Sequence, residues 1–198
     1  MQKRFFDIIA SFLGLILLSP LFIFIAILIK IDSKGSVFYI QERVGKDGRI
    51  FPLIKFRTMK TYSDSKGMLT IGKRDPRVTN SGYYLRKYKL DELPQLINVL
   101  KGDMSIVGPR PEVKKYVDMY DKRQRKVLSV PPGISDFASI EYRNENELLS
   151  QSQNPEELYI THVMPAKLEL NLKYIEEKSF KTDLKIIFST IKAVFLSK

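Results

Sequence analysis

Several chemically important residues and motifs are absent or rare in this 198-residue chain. There is no cysteine, which excludes disulfides, thiolate metal sites and cysteine nucleophiles, and fits a reducing compartment. The single histidine, His162, excludes a metal site built from several histidines, and we interpret it as an ordinary surface or half-buried residue. Neither a GxxxxGKS/T loop nor a GxGxxG fingerprint after a strand occurs, so P-loop and Rossmann enzymes are not supported.

Negative charge is also scarce. The chain carries 33 Lys+Arg against 22 Asp+Glu, a formal net charge of +11. Such an excess implies an anionic partner: nucleic acid, anionic lipid or a phosphate-rich substrate. Residues 41–90 hold 13 Lys/Arg against 4 Asp/Glu, whereas residues 141–157 are acidic. An anion-attracting surface is therefore expected close to residue 91, with a merely solvated basic face as the alternative.

A long uncharged apolar segment lies near the N-terminus. Residues 8–29 contain no charged side chain, and as a straight helix they would extend ~33 Å, enough to span a hydrocarbon core. The segment is too long for a typical signal peptide, and no small-x-small cleavage site follows it. Pro20 should bend the helix, and the Ser19 hydroxyl can bond a backbone group freed by the bend. Both flanks are basic, so a kinked spanning helix and a re-entrant hairpin both remain open.

The rest of the chain predicts an α+β, mostly helical domain. Strand-like runs on either side of the turn at 45–48 predict a β-hairpin over 37–59. The other expected elements are a long loop over 60–82, an amphipathic helix over 93–100 stopped by Gly102, a helix over 112–128, a turn at 131–135 and two helices from Pro165 onward. An apolar face on the last helix suits a core, its more common use, or a membrane interface. This face comprises Phe180, Leu184, Ile187, Ile191 and Val194.

Two adjacent acids, Asp91 and Glu92, precede Pro94 in the stretch LDELPQL. Taken alone, they are typical of a helix start, where proline is tolerated and acidic residues are favoured by the helix dipole. Neighbouring helical residues point about 100° apart, so the two acids could take separate roles around one ligand. A helix N-terminus also suits a phosphate and should keep Asp91 ionised, as a nucleophile or Mg²⁺ ligand requires.

Arginines lie close to the acidic pair in the sequence. Arg86 is just upstream, and Arg110 is flanked by Pro109 and Pro111, which restrict its backbone. A guanidinium group fixed in this way is well suited to binding phosphate oxygens, although Arg110 could also be a surface turn residue. The combination predicts phosphoryl transfer, in which a carboxylate attacks phosphorus and cations offset the charge.

The segment DPRVTNSGYYLRKYKLDELPQLINVLKGDMSIVGPRP, residues 75–111, resembles the core signature of bacterial sugar transferases. These are monotopic phosphoglycosyl transferases that act on polyprenol phosphate. QERVG at 41–45, KFRTM at 55–59 and the apolar segment with its central Ser-Pro are also similar to that family. The resemblance covers nearly the whole chain, whose length matches the small single-domain members.

The resemblance implies an activity and roles for individual residues. The family moves a sugar 1-phosphate from a UDP-sugar to undecaprenyl phosphate and releases UMP, through a covalent aspartyl phospho-sugar intermediate. By resemblance, Asp91 is the nucleophile and a Mg²⁺ ligand, and Glu92 assists as a base or by positioning. The residues implied in binding substrate or phosphate are Lys55, Arg57, Arg86, Pro109, Arg110, Pro111 and Arg143.

The resemblance also implies a location. Residues 1–33 would form a re-entrant helix-break-helix hairpin with its break at Ser19 and Pro20, and residues 34–198 a cytoplasmic catalytic domain with interfacial helices. The protein would sit monotopically in the bacterial inner membrane and start a surface glycan. Its partners would be membrane lipid and its two substrates, with downstream glycosyltransferases and a homodimer left open and nucleic acid not expected.

One departure from the family pattern concerns the sugar. Where many members have a PGITGWAQVNGRN-type stretch, residues 131–149 read PPGISDFASIEYRNENELL, without the tryptophan. The sequence therefore does not identify the donor sugar. A non-catalytic membrane-anchored adaptor remains the alternative function, but it gives no reason for the acidic pair or for the proline-locked arginine. A nucleic-acid binder explains only the charge.

Overall fold

The computed structural model describes residues 2–61 and 75–195. Its order of elements confirms a mostly helical α+β chain with a small β-hairpin. The helices are α1 Gln2–Leu17, α2 Ser19–Asp32, α3 Asn80–Lys87, α4 Gln95–Lys101, α5 Lys114–Val117, α6 Phe137–Glu141, α7 Glu145–Ser150, α8 Pro155–Leu158, α9 Met164–Glu177 and α10 Phe180–Phe195. The strands are β1 Phe38–Val44, β2 Ile50–Phe56, β3 Ser105–Val107 and β4 Gly133–Ser135. Single turns of 3₁₀ helix at Leu90–Glu92 and of π-helix at Tyr159–Val163 join longer elements.

The apolar segment is broken where the sequence predicts it. Helices α1 and α2 meet at Leu18 and are bent by 60°. Pro20 lies in the first turn of α2, where a missing N–H is tolerated, and the Ser19 hydroxyl donates to the carbonyl of Ile16 at 2.8 Å. Of the helices that the structure describes, none is long and apolar enough to cross a bilayer by itself, but this bent pair passes the length and composition test together.

Helix α1 has its polar side toward the protein and its apolar side outward. Its buried residues are Asp7 and Ser11, and the Asp7 carboxylate accepts a hydrogen bond from the Ile106 amide at 3.1 Å. The exposed side of α1 is made of large apolar side chains: Phe5, Ile8, Ile9, Phe12, Leu13, Ile16 and Leu17. A contiguous exposed apolar surface of this kind marks a membrane or protein contact rather than a water-facing helix.

Both ends of the helix pair are bonded to the same globular body. At the start, Lys3 forms a salt bridge with Asp183 at 2.5 Å, and Arg4 donates to the last carbonyls of α4 at 2.5 and 2.9 Å. At the other end, Asp32 accepts two hydrogen bonds of 2.7 Å from the amide and hydroxyl of Ser81. Both ends of the segment are therefore anchored to the body.

Strands β1 and β2 form the predicted antiparallel hairpin, with Phe38 opposite Phe56 and Val44 opposite Ile50. Helix α4 docks on this hairpin through Asn98. The Asn98 side chain accepts from the Ile54 amide at 3.0 Å and donates to the Pro52 carbonyl at 2.8 Å. This docking fixes the distance between β2, which carries Lys55, and the turn that precedes α4.

Three sequence-based expectations differ from the structure. The helix expected over 112–128 is two short pieces, because Asp121 and Gln124 cap each other's amides and start a separate 3₁₀ segment at Gln124–Ser129. The expected turn at 131–135 contains β4, which pairs in parallel with β3. The loop expected over 60–82 ends early because Thr79 caps α3, and residues 62–74 of that loop lie outside the described part.

The face predicted for the last helix is also different. The buried residues of α10 are Asp183 and Ile186, and Ile186 packs with Val107 and Tyr174. Phe180 and Ile191, which were predicted on the apolar face, are exposed. This exposed part of α10 continues from α1, since the rings of Phe180 and Phe6 meet edge to face at 5.5 Å.

The β3–β4 pair depends on two glycines that bring the backbones very close together. A Cβ atom added at Gly133 would lie 2.1 Å from the amide nitrogen of Gly108, so the strands would have to separate. We expect Gly133→Ala to destabilise the protein by about 3 kcal/mol, measured as a fall in the Tm of the purified protein. Gly48→Ala is the matched control. It adds only the strain of a positive φ, since nothing lies within 4 Å of the new Cβ, and should shift the Tm by less. Equal shifts would contradict the close-approach argument.

Candidate active site

Asp91 and Glu92 lie in the 3₁₀ turn between α3 and α4, and both are buried. Lys89 opens this turn with a φ of 56°, a left-handed conformation that is uncommon outside glycine and is often found at functional sites. Pro94 caps α4, which begins at Gln95 rather than at Leu93 as the apolar spacing predicts. The acidic pair therefore precedes the helix by a full turn.

Glu92 is held by a two-pronged contact with Arg110. One guanidinium nitrogen of Arg110 lies 2.9 Å from Oε2 of Glu92, and the other forms a short hydrogen bond to Oε1. Lys55 adds a second cation, with its Nζ 3.6 Å from Oε1. Burial alone would raise the pKa of Glu92, but Arg110 and Lys55 outweigh it and hold that pKa well below its usual value. Glu92 is therefore an ionised, fixed carboxylate.

Asp91 is in the opposite situation. Within the part of the chain that the structure describes, its carboxylate makes no hydrogen bond and no salt bridge. Burial raises its pKa, the neighbouring Glu92 raises it further, and Lys55, Lys89 and Arg86 only partly oppose the change. The helix start was expected to stabilise the anion, but Asp91 lies a turn outside the helix, where burial dominates. The result is a buried carboxylate with unused lone pairs.

Three basic side chains, those of Lys55, Arg86 and Arg110, surround the acidic pair. Burial lowers the pKa of Lys55 to about 8, although Glu92 partly opposes the change. Arg86 donates to the Thr58 hydroxyl at 2.9 Å, and burial lowers its pKa while Asp91 raises it. Lys55 and Arg86 come from β2 and α3, so elements distant in sequence supply the positive charge.

The loop carrying Arg110 is rigidly supported. The Arg110 amide donates to Asp136 Oδ2 at 3.0 Å, and the other oxygen of Asp136 caps α6 by accepting from the Ser139 amide at 2.6 Å. The flanking prolines are buried, and the Pro109 carbonyl accepts from the Gly133 amide at 2.9 Å. Asp136 was missed in the sequence analysis. Its position before the helical stretch FASIE was the available signal, as an N-cap pattern.

The structure does not bring every predicted residue to the acidic pair. The guanidinium of Arg57 donates to Ser33, Lys34 and Ser36 at 2.5–3.0 Å, so it fastens the connection between α2 and β1. Arg143 lies exposed in the connection between α6 and α7. Lys55, Arg86 and Arg110 are the predicted basic residues that surround the pair.

The expected Mg²⁺ would need carboxylate oxygens that are not already engaged by basic side chains. Residues 2–61 and 75–195 contain no group of three or more Asp, Glu, His or Cys able to hold a metal. Mg²⁺ is, however, commonly bound by one or two carboxylates together with substrate phosphates and water. The unpaired oxygens of Asp91 fit that requirement, whereas those of Glu92 are engaged by Arg110. A metal shared with a bound diphosphate is therefore compatible with the residues present.

A carboxylate with free lone pairs, next to a second carboxylate clamped by arginine and enclosed by cations, is chemically suited to phosphate esters. The chain belongs to the bacterial sugar transferase family, whose family model matches residues 1–197. This finding confirms the resemblance, and it makes the chain a sugar-phosphate transferase rather than an adaptor.

Three curated relatives illustrate the likeness. The exopolysaccharide production protein ExoY of Rhizobium meliloti is 38% identical over all of this chain and 87% of the relative. The UDP-glucose:undecaprenyl-phosphate glucose-1-phosphate transferase of Escherichia coli is 38% identical over 99% of this chain and 40% of the relative. The UDP-N-acetylgalactosamine-undecaprenyl-phosphate N-acetylgalactosaminephosphotransferase of Aeromonas hydrophila is 38% identical over 97% of this chain and 43% of the relative.

Proposed function

We propose that this protein transfers a sugar 1-phosphate from a UDP-sugar to undecaprenyl phosphate through a covalent intermediate on Asp91. The observation that carries the proposal is the contrast within the acidic pair. Asp91 has free lone pairs, and Glu92 is locked by Arg110 and Lys55. The names of the Escherichia coli and Aeromonas hydrophila relatives supply the class of donor and acceptor.

The steps follow from the chemistry of the groups. A carboxylate oxygen of Asp91 attacks the phosphorus attached to the sugar, and the bond from that phosphorus to the bridging oxygen breaks, releasing UMP. An oxygen of the acceptor phosphate then attacks the same phosphorus and frees Asp91. Lys55, Arg86 and Arg110 offset the negative charge that accumulates during both steps. Mg²⁺ held by Asp91 and the diphosphate would supply further charge neutralisation.

Glu92 is assigned to positioning rather than to proton transfer. Its low pKa makes it a weak base, and both of its oxygens are occupied by the Arg110 fork. Through this contact Glu92 fixes the guanidinium beside the expected position of the phosphates. The two adjacent acids would then have different roles because their surroundings differ.

The proposal includes a location at the inner membrane, with α1 and α2 as a re-entrant hairpin and the catalytic domain in the cytoplasm. Two observations support it: the outward apolar face of α1, and the attachment of both ends of the pair to one body. An acceptor with a long isoprenoid chain needs a site at a membrane surface, which this arrangement would provide.

The membrane topology gives a direct prediction, since the chain has no cysteine of its own. Gln2→Cys and Lys34→Cys lie at the two exposed ends of the helix pair and should react with a membrane-impermeant maleimide only from the cytoplasmic face. Phe12→Cys, on the outward apolar face, should react from neither face. Reaction of the two end positions from opposite faces would establish a spanning helix instead.

The activity is tested by UMP release from a panel of UDP-sugars in the presence of Mg²⁺ and undecaprenyl phosphate. We expect release with at least one donor and a lipid-linked sugar phosphate as product. Absence of release with every donor would refute the proposed function.

A further inference from the structure

Two adjoining clefts lie beside Arg110, on the side of the site formed by α9. Their volumes are about 320 and 300 Å³, and both volumes include space that is open to solvent. Arg110, Glu112, Tyr120, Leu168 and Asn171 line both clefts. The enclosed part of each suits a hydroxyl-sized group rather than a whole ring. Because Arg110 also clamps Glu92, the clefts adjoin the place where the donor phosphates are expected.

The charges around the clefts are already paired. Arg43 lies 3.0 Å from the Glu112 carboxylate, and Lys167 lies 2.6 Å from that of Glu145. Arg110 is paired with Glu92. A charged ligand group would therefore have to displace an existing ion pair, which disfavours a phosphate or carboxylate at this position.

Two neutral polar groups in the clefts have no partner within the described residues. The Tyr120 hydroxyl makes no hydrogen bond, and the side-chain oxygen of Asn171 is buried and unsatisfied. Both residues are more than nine-tenths buried, with 8% and 5% of their surface exposed. A buried polar atom without a partner destabilises a protein by about 1–3 kcal/mol, so the unsatisfied Asn171 oxygen beside a cleft indicates a ligand group that satisfies it. The Tyr120 hydroxyl, with no protein partner within the described residues, is available to the same ligand.

We propose that Tyr120 and Asn171 form a subsite for the neutral substituents of the donor sugar, its hydroxyl or acetamido groups. This inference rests on the proposed function. The sugar is attached through one oxygen to the phosphorus that Asp91 attacks. It is therefore expected close to Arg110, which is placed at the phosphates. The uracil ring is also neutral, but it lies beyond the second phosphate and the ribose, on the side of the leaving group. The subsite would select among sugars, since a hydroxyl and an amide recognise the position of a hydrogen-bonding group.

The experiment measures kcat/KM for UMP release by the full chain with UDP-sugars that differ at single positions. The variants are Tyr120→Phe, which removes one oxygen atom, and Asn171→Leu, which keeps a similar shape. We expect each to lower kcat/KM about tenfold for the preferred donor, and less than about twofold for an epimer or deoxy analogue that lacks the recognised group. Tyr142→Phe, which packs against the same core outside the clefts, is the control and should leave the ratio between donors unchanged.

Each outcome is decisive. Equal losses of kcat/KM for all sugars would overturn the proposed subsite. The proposed function would still stand, because the wild-type chain would release UMP. A change in discrimination between UDP-glucose and TDP-glucose, with no change among sugars, would assign the clefts to the base and overturn the inference. No release by the wild type would overturn both proposals. If Asn171→Leu fails to fold, Tyr120→Phe alone carries the test.

Discussion

Asp91→Asn is expected to lower UMP release by a factor on the order of 10⁴ or more and to eliminate any covalent phospho-sugar adduct. The amide is nearly isosteric with the carboxylate but cannot act as the nucleophile. The adduct is measured by mass spectrometry of the intact protein after mixing with donor in the absence of acceptor. Persistence of the adduct in this variant would show that another side chain, with Glu92 the nearest candidate, is the nucleophile.

The same substitution should not destabilise the protein. Asp91 is a buried anion next to Glu92, and its raised pKa means that ionisation is less favourable in the folded chain than in the unfolded one. A raised carboxyl pKa makes a stabilising contribution below the unfolded pKa, and this contribution is lost as the pH rises through the folded pKa. At neutral pH and without divalent metal, Asp91→Asn should therefore have a Tm at least as high as that of the wild type. Asp118→Asn, at an exposed carboxylate paired with Lys114, should change neither activity nor Tm appreciably.

Arg110→Ala is expected to reduce both activity and stability. It removes a cation from the phosphate site, for which we expect a loss of about 10²–10³-fold in kcat/KM. It also leaves Glu92 buried with only Lys55 at 3.6 Å. We expect destabilisation of about 2 kcal/mol, less than for a fully buried pair because the Arg110 side chain is 29% exposed. UMP release and thermal unfolding measure the two effects.

A surface pair with the same geometry provides the control. Arg123 makes two hydrogen bonds of 2.7 and 2.6 Å to Glu169, but the two side chains are 65% and 52% exposed. Arg123→Ala should therefore change stability by less than about 1 kcal/mol and leave activity unaffected. The double variant Arg110→Ala/Glu92→Gln removes the unpaired charge, so it should regain stability without regaining activity. Recovery of activity in the double variant would contradict the role of Arg110 at the phosphates.

Elements whose signals are local in sequence were predicted well. The bend at Ser19 and Pro20 follows from a missing N–H, and the β-hairpin follows from two apolar runs around a glycine turn. Elements that depend on contacts between residues far apart in the sequence were not predicted. Strand β4 exists because Gly108 and Gly133 allow two backbones to approach, and the sequence showed only a Pro-Gly turn.

The candidate site shows the same division. The sequence alone singled out Asp91, Glu92 and the proline-locked Arg110 as candidates, and the resemblance predicts that they act in sugar-phosphate transfer. The family match confirms the family and leaves these roles as predictions. Only the tertiary structure made the two acids different, since Lys55 on β2 and Arg110 in the loop after β3 both reach Glu92 and leave Asp91 unpaired. In the fold, the Arg57 side chain bonds to the α2–β1 connection rather than to the acidic pair, and the polar side of α1 faces the protein. Residue types and spacing are properties of the chain, whereas burial and pairing of a charge depend on which distant side chains the fold brings within a few ångströms.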